Sequence, residues 1–378
     1  MSEIAILGTG LIYRNPKPHV HAIHAYFPSV VQLANGELLC SLVLGEAFES
    51  ANCHTYLARS ADQGQTWHLQ GPIYPGTTER LTSDAVRLTA LPNGGAVAFM
   101  VRADRTDHPD EGLANPENMG FVPTETLLLW SADAGHTWGP PETLAPPLVG
   151  PSFELCCPIV PLSDGRWFLP TSTWRSWDGE CPNGMKMAAF ISHDGGRSWP
   201  EYQEVMRDPQ GRVIYWESKI AELPAERPQQ GNGRLLAVAW AYDEVAGADQ
   251  PNQYAISADG GNSWSTPRST GLQGQTLTPL ILDDGRVLCV YRRIDRPGLW
   301  ANLSHLEGDH WVNDSETAIW GVTAQRLTGD SSNMVQNFQV LRFGAPCVAR
   351  LTDGTIFVAF WCYEDCVSVI RWYKLSVG

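Results

Sequence analysis

One short pattern occurs four times along this chain of 378 residues: Ser60-Ala-Asp62-Gln-Gly64-Gln-Thr66-Trp67, Ser131-Ala-Asp133-Ala-Gly135-His-Thr137-Trp138, Ser192-His-Asp194-Gly-Gly196-Arg-Ser198-Trp199 and Ser257-Ala-Asp259-Gly-Gly261-Asn-Ser263-Trp264. The consensus S-x-D-x-G-x-[ST]-W describes a tight turn. Its Asp accepts backbone N–H bonds, its Gly takes a backbone angle closed to other residues, and its Trp packs beneath. A fifth copy, Ser304-His-Leu-Glu-Gly308-Asp-His-Trp311, keeps Ser, Gly and Trp but lacks the Asp.

A second repeat, L-x-[DN]-G, stands between paired apolar runs at Leu33, Leu91, Leu162, Leu282 and Leu351, and reads as a hairpin turn. Leu223 opens a sixth copy, interrupted by a polar insertion from Pro224 to Gln230 before Asn232-Gly233 restores the turn. The Asp-bearing pattern resembles the Asp-box of the sialidase-type β-propellers, and the resemblance spans most of the chain. It implies an all-β, six-bladed β-propeller of four-stranded antiparallel blades. In each blade the L-x-[DN]-G turn joins the first two strands and the Asp-box the last two. After Phe357 to Trp361 only one further strand remains, so the apolar N-terminal stretch Ile4 to Tyr13 is expected to close the ring as an outer strand. Residues 1–378 are thus expected to form one domain.

Composition narrows the function. No apolar run approaches the ~20 residues of a membrane span, and Met1-Ser-Glu-Ile4 shows neither a basic segment nor the apolar core of a leader. A cytoplasmic location without membrane association is expected. Nine cysteines in no metal-finger spacing read as reduced, packed thiols, Cys156-Cys157 included, and no cofactor or metal is expected. A net charge of −15 argues against nucleic acid as a partner and leaves room for a small carbohydrate.

In a propeller the inner strands converge on one pocket, and two sets of positions face it. The first, ahead of each first strand, contains Tyr26, Asp84, Glu154, Glu217 and Gln275. The second, where each second strand ends, contains Glu46, Glu49, Arg102, Arg105, Trp174, Arg175, Trp240, Arg292, Arg293 and Trp361. Aromatic faces for a ring, arginines for a carboxylate and carboxyl groups for proton transfer suit a charged sugar. Glu217 begins an apolar strand, where an unpaired charge is costly, so it needs a partner or a task. Asp84 and Arg87, three apart, are candidates to pair with each other.

The resemblance implies roles residue by residue. Sialidases carry an arginine in an F-R-I-P motif, an aspartate acid/base, a glutamate assisting a tyrosine nucleophile, and two more arginines on the substrate carboxylate. Here Ala25-Tyr26-Phe27-Pro28 stands for F-R-I-P, Glu46 and Glu49 for the aspartate, Glu217 for the glutamate, Trp240 for the second arginine, and Arg292 or Arg293 for the third. The nucleophile segment reads Arg342-Phe343-Gly344-Ala345-Pro346-Cys347, without tyrosine.

The leading expectation is an exo-acting glycoside hydrolase on a small, acidic or unusual sugar. Glu49 or Glu46 would be the general acid and Glu217 or Asp84 the base or nucleophile. Arg102, Arg175, Arg292, Arg293, Trp174, Trp240, Gln275, Glu154 and His24 would contact substrate. Two alternatives stand beside it. One is a lyase on uronic-acid glycosides, for which Tyr26 and the segment His19-Val-His21-Ala-Ile-His24 offer proton acceptors and, as a variant, metal ligands. The other is a non-catalytic carbohydrate-binding propeller. The excursions 104–123 and 177–185 are expected on the pocket face as a rim, a lid or a dimer contact.

Overall fold

The computed structural model describes residues 4–77, 79–224, 233–324, 327–329 and 331–378. Six antiparallel sheets surround one axis. Blade I runs His24–Gln32, Leu38–Gly45, His54–Ser60 and His68–Pro72 from the axis outward. Blades II to V repeat this order, their first strands starting at Thr82, Ser152, Val213 and Gly274. Blade VI is built from both ends of the chain: Ile4–Tyr13 pairs antiparallel with Val367–Val377, from Ile4↔Val377 to Tyr13↔Ile370. The expected six-bladed propeller and its closing strand are therefore both present.

The two repeats act at separate places in each blade. In the hairpins, Leu33 N–H donates to Glu37 O at 2.8 Å and Gly36 N–H to Leu33 O at 2.9 Å, and the same two bonds recur at Leu91, Leu162, Leu282 and Leu351. In blade IV, Leu223 N–H donates to Arg234 O at 3.0 Å, which is the closing bond of the sixth hairpin. The insertion there, residues 225–232, lies outside the described residues. In the Asp-boxes, Asp62 Oδ1 accepts Thr66 N–H at 2.9 Å, Asp62 Oδ2 accepts the Thr66 hydroxyl at 2.6 Å, and Ser60 Oγ accepts Gly64 N–H at 2.8 Å. Asp133, Asp194 and Asp259 repeat these contacts. The degenerate fifth copy becomes a long hairpin, Leu299–Glu307 with His310–Trp320, whose tight turn does without the carboxylate.

The boxes also dock blades. A Cβ on Gly64 of blade I would lie 2.6 Å from Phe357 of blade VI, and one on Gly261 of blade IV 2.6 Å from Phe168 of blade III. The apolar core follows the same logic. It consists of six layers, each shared by two adjacent blades, for example Leu39, Leu57, Leu88 and Met100 between blades I and II. A seventh aromatic cluster, including Trp174, Trp216 and Trp240, sits apart from these layers.

Candidate functional site

The inner strands carry a device that places side chains at the axis. In blades I, IV, V and VI the pairing of the first strand slips between Tyr26 and Ser29, Trp216 and Lys219, Gln275 and Thr278, and Gly344 and Cys347. Inside each slip one residue adopts a left-handed backbone: Phe27 (φ 49°), Glu217 (49°), Thr276 (55°) and Ala345 (46°). Such bulges re-aim a side chain at the cost of strain, which concentrates at functional sites. All four residues line a central cavity of about 200 Å³.

Around Glu217 the charges are closely matched. Its carboxylate has Lys219 Nζ at 3.2 Å, and the same amine donates to Glu217 O at 2.9 Å. Behind it, Glu154 Oε2 accepts Glu217 N–H at 2.9 Å and the Cys156 thiol at 3.2 Å. Burial, with the charge of Glu217 adding to it, pushes the Glu154 carboxyl up to about 7. Arg292 is buried beside them. Its Nε donates to Gln275 Oε1 at 2.8 Å and its Nη1 to Phe343 O at 3.1 Å, and it lies over the Trp240 ring. Burial draws its guanidinium down to about 10, opposed by the carboxylates of Glu217 and Asp249. Gln275 Nε2 and Trp240 Nε1 both donate to Asp249, so this carboxylate anchors the ring and the amide that hold Arg292.

Glu49 also lines the cavity, from the loop after the second strand of blade I. Burial pushes its carboxyl up to about 7, against the pull of the Leu113 N–H at 3.3 Å and of Arg105. Fully buried Arg105 ties this loop to the next, donating from Nη1 to Glu49 O at 2.9 Å and from Nη2 to Glu111 O. The cavity thus brings together the raised carboxyl groups of Glu49 and Glu154, the lysine-paired carboxylate of Glu217, Asp84, and three buried arginines, Arg87, Arg105 and Arg292.

Residues 113–317, just over half of the chain, match the BNR repeat-like domain. The chain belongs to this family. Among solved structures, this BNR repeat-like protein is similar over the whole of both chains to a protein of unknown function from Dyadobacter fermentans DSM 18053, at 20% identity and a TM-score of 0.72. It is similar to a K499G mutant of the NanB sialidase of Streptococcus pneumoniae at 12% identity and a TM-score of 0.64, over 97% of this chain and 70% of that one. It is also similar to the intramolecular trans-sialidase of Ruminococcus gnavus, in complex with oseltamivir carboxylate, at 13% identity and 0.64, over 93% and 94%. At these identities the shared property is the sialidase-like propeller fold. No curated protein sequence matches the chain.

Of the candidate residues, Glu49, Asp84, Arg105, Glu154, Trp174, Glu217, Trp240, Arg292 and Trp361 line the cavity of the BNR repeat-like propeller. Asp84 is already engaged: it pairs with His54 Nδ1 at 2.7 Å and accepts Thr55 N–H at 2.8 Å, rather than meeting Arg87. The others lie elsewhere. Arg102 pairs with its cross-strand neighbour Glu125, while Val101 and Ala103 on either side of it face the cavity. Arg175 clasps Glu244 with bonds of 2.6 and 2.8 Å, next to cavity-lining Trp174. Arg293 pairs with Asp295 and Glu316 and stacks over Trp300, facing away from Arg292. These arginines miss by one residue, because successive strand side chains point to opposite faces. Glu46 is exposed.

Tyr26 and Gln275 miss for another reason, since the bulge turns the following residue, Phe27 or Thr276, to the axis. Tyr26 is buried with its hydroxyl 2.8 Å from that of Tyr363. His24 accepts Ser368 N–H at 3.0 Å and packs against Tyr363, while His19 and His21 are exposed. Among the described residues no group of three or more His, Cys, Asp or Glu is placed to hold a metal ion.

The excursion 104–123 lies on the pocket face, where the sequence placed it, but sequence reasoning missed its inward apolar residues and the helix that completes the roof. Leu113, Met119, Phe121 and Val122 of the polar excursion 104–123 turn inward over the cavity, as do Met334, Val335 and Phe338 of the helix Met334–Val340. Asn333 caps that helix, accepting Val335 N–H at 3.0 Å, and its amide donates to Pro116 O at 2.7 Å, which links helix and excursion. Trp177 stacks on His108 at 3.8 Å and joins the second excursion to the first. The apolar residues within the acidic excursion, and Asn before an apolar pair, were the available signals.

Proposed function

We propose that this BNR repeat-like propeller is an exo-acting glycoside hydrolase for a small, acidic or unusual sugar. The observation that carries the reading is the bulge that turns Glu217 into a cavity also bordered by Glu49 and Arg292. Glu49, raised to about 7, is suited to give a proton to a leaving group at neutral pH. Glu217, with Lys219 as its cationic partner, is suited to act as base or nucleophile, and Glu154 fixes its main chain. Arg292 supplies the charge that favours an acidic sugar, and Trp174, Trp216, Trp240 and Trp361 supply apolar walls for a ring. A cavity of about 200 Å³ holds a volume of several waters at ~30 Å³ each, the scale of one sugar unit rather than a polymer. The position that matches the family's nucleophile is Ala345 in its bulge, so a carboxylate route fits this chain better than a tyrosine one.

The test is mass spectrometry of products after incubation with sialosides, related nonulosonates, uronides and neutral glycosides, beside folded Glu217→Gln. Release of a free sugar by the wild type alone is expected. An equally active variant overturns the role of Glu217. An unsaturated uronate absorbing near 232 nm would instead identify a lyase, a reading that loses support because buried Tyr26 and half-buried His24 both lie outside the cavity lining. Binding of a sugar without turnover would identify the carbohydrate-binding module, which the prior engagement of Asp84 favours.

A further inference from the structure

Beneath the site lies a second cavity, of about 170 Å³, lined by residues from the first strands of several blades. Arg87, Glu217 and Ala345 border both cavities, so these three form the partition between them. The charges facing the lower cavity do not balance. Arg87 and Lys219 are cationic, and Glu217 is the one carboxylate among the lining residues. Lys219 takes that carboxylate, at 3.2 Å. Arg87 is left with one weak contact from its guanidinium, Nη1 to Phe27 O at 3.4 Å, although the residue is only 8% exposed. Among the described residues no carboxylate pairs with it; Arg105 and Arg292 share that lack, but each is held by at least two hydrogen bonds to oxygen.

The other titratable groups lining this cavity do not supply the missing charge. They are the thiols of Cys156, Cys157 and Cys347. Burial raises all three, Cys157 to about 12 and Cys347 to about 11, outweighing the opposing pull of Arg87 on the last two. They remain neutral, with the Cys156 thiol already donating to Glu154. Ser29 adds a donor, since its oxygen accepts Leu88 N–H at 3.0 Å and its proton is left to offer. The remaining wall includes Pro28, Val30, Ile220, Pro279 and Val348. A single uncompensated guanidinium in such a space is costly, and a counter-ion of one negative charge removes the cost.

We propose that this axial cavity is a binding site for a small monovalent inorganic anion of halide size, held against Arg87 and Lys219. A divalent anion would exceed the one unbalanced charge, and a monovalent one neutralises the axis where the inner strands meet. The site adjoins the reaction proposed above through Glu217 and Lys219, but its argument stands without that reaction.

The probe is bromide. Crystals of the full chain grown without halide and soaked in sodium bromide are expected to show an anomalous peak in the axial cavity beside the Arg87 guanidinium. In halide-free buffer, bromide is expected to raise the melting temperature saturably, where sodium gluconate at equal ionic strength does not. Arg87→Gln should weaken the bromide response at least tenfold in concentration, and Arg87→Lys should keep part of it. Absence of the peak, or an equal response of the wild type to bromide and gluconate, overturns the site even if neither variant folds.

Discussion

The Glu154 carboxylate accepts the main-chain N–H of Glu217 at 2.9 Å, so the bulge that aims one carboxylate into the cavity is held in place by another. Burial, with repulsion from the Glu217 charge adding to it, leaves Glu154 raised to about 7.

A titration of stability follows. An acid with a raised folded value keeps its proton longer in the folded chain, so its contribution is full below the unfolded value of about 4.3. That contribution is lost as pH rises towards 7. Glu154→Gln cannot titrate and still accepts the Glu217 N–H. Melting temperatures of wild type and variant at pH 4 and pH 8 should show the variant gaining on the wild type at pH 8. A constant offset would contradict the shift.

The Asp-boxes predict the opposite response in acid. Hydrogen bonds from Thr66 and Ser198 hold Asp62 and Asp194 down to about 2. Their stabilisation is present above the ordinary carboxylate value and is lost as pH falls from about 4 towards 2. Acid unfolding followed by circular dichroism should be less steep for Asp62→Asn/Asp194→Asn than for wild type.

Gly64 and Gly36 separate strain from contact. Their φ angles are 89° and 87°, but a Cβ on Gly64 meets Phe357 at 2.6 Å while one on Gly36 meets nothing within 4 Å. Gly36→Ala should cost about 1 kcal/mol from backbone strain. Gly64→Ala should cost about 1–3 kcal/mol more from overpacking between blades. Urea unfolding of the two variants measures the difference.

Thr276 combines a β-branched side chain at φ 55° with a buried hydroxyl that has no hydrogen-bond partner. Strain and the unmet hydroxyl each cost about 1–3 kcal/mol, against about 1–2 kcal/mol for the lost methyl and for glycine's entropy. Thr276→Gly should therefore unfold at equal or higher urea concentration than the wild type. A clear loss of stability would show that the hydroxyl or the bulge is satisfied in solution.

The blade count, the turn chemistry and the closing strand were legible in the sequence, because each is local. Asp62 bonds within four residues of itself, Gly36 turns its own hairpin, and Ile4 to Tyr13 supplies the strand blade VI lacks. Glu217 was also legible, as a charge at the head of an apolar strand.

The members of the cavity were decided by the tertiary structure. Whether Arg292 or Arg293 faces the axis depends on a period of two, and an error of one residue exchanges pocket for surface. Bulges at Phe27 and Thr276 shift that period where the sequence shows no break, and the roof from 104–123 and the helix Met334–Val340 arrives from distant segments. Repeats specify a blade because each blade's own hydrogen bonds define it. The site arises where six blades meet, and its contacts are made between residues that no local pattern links.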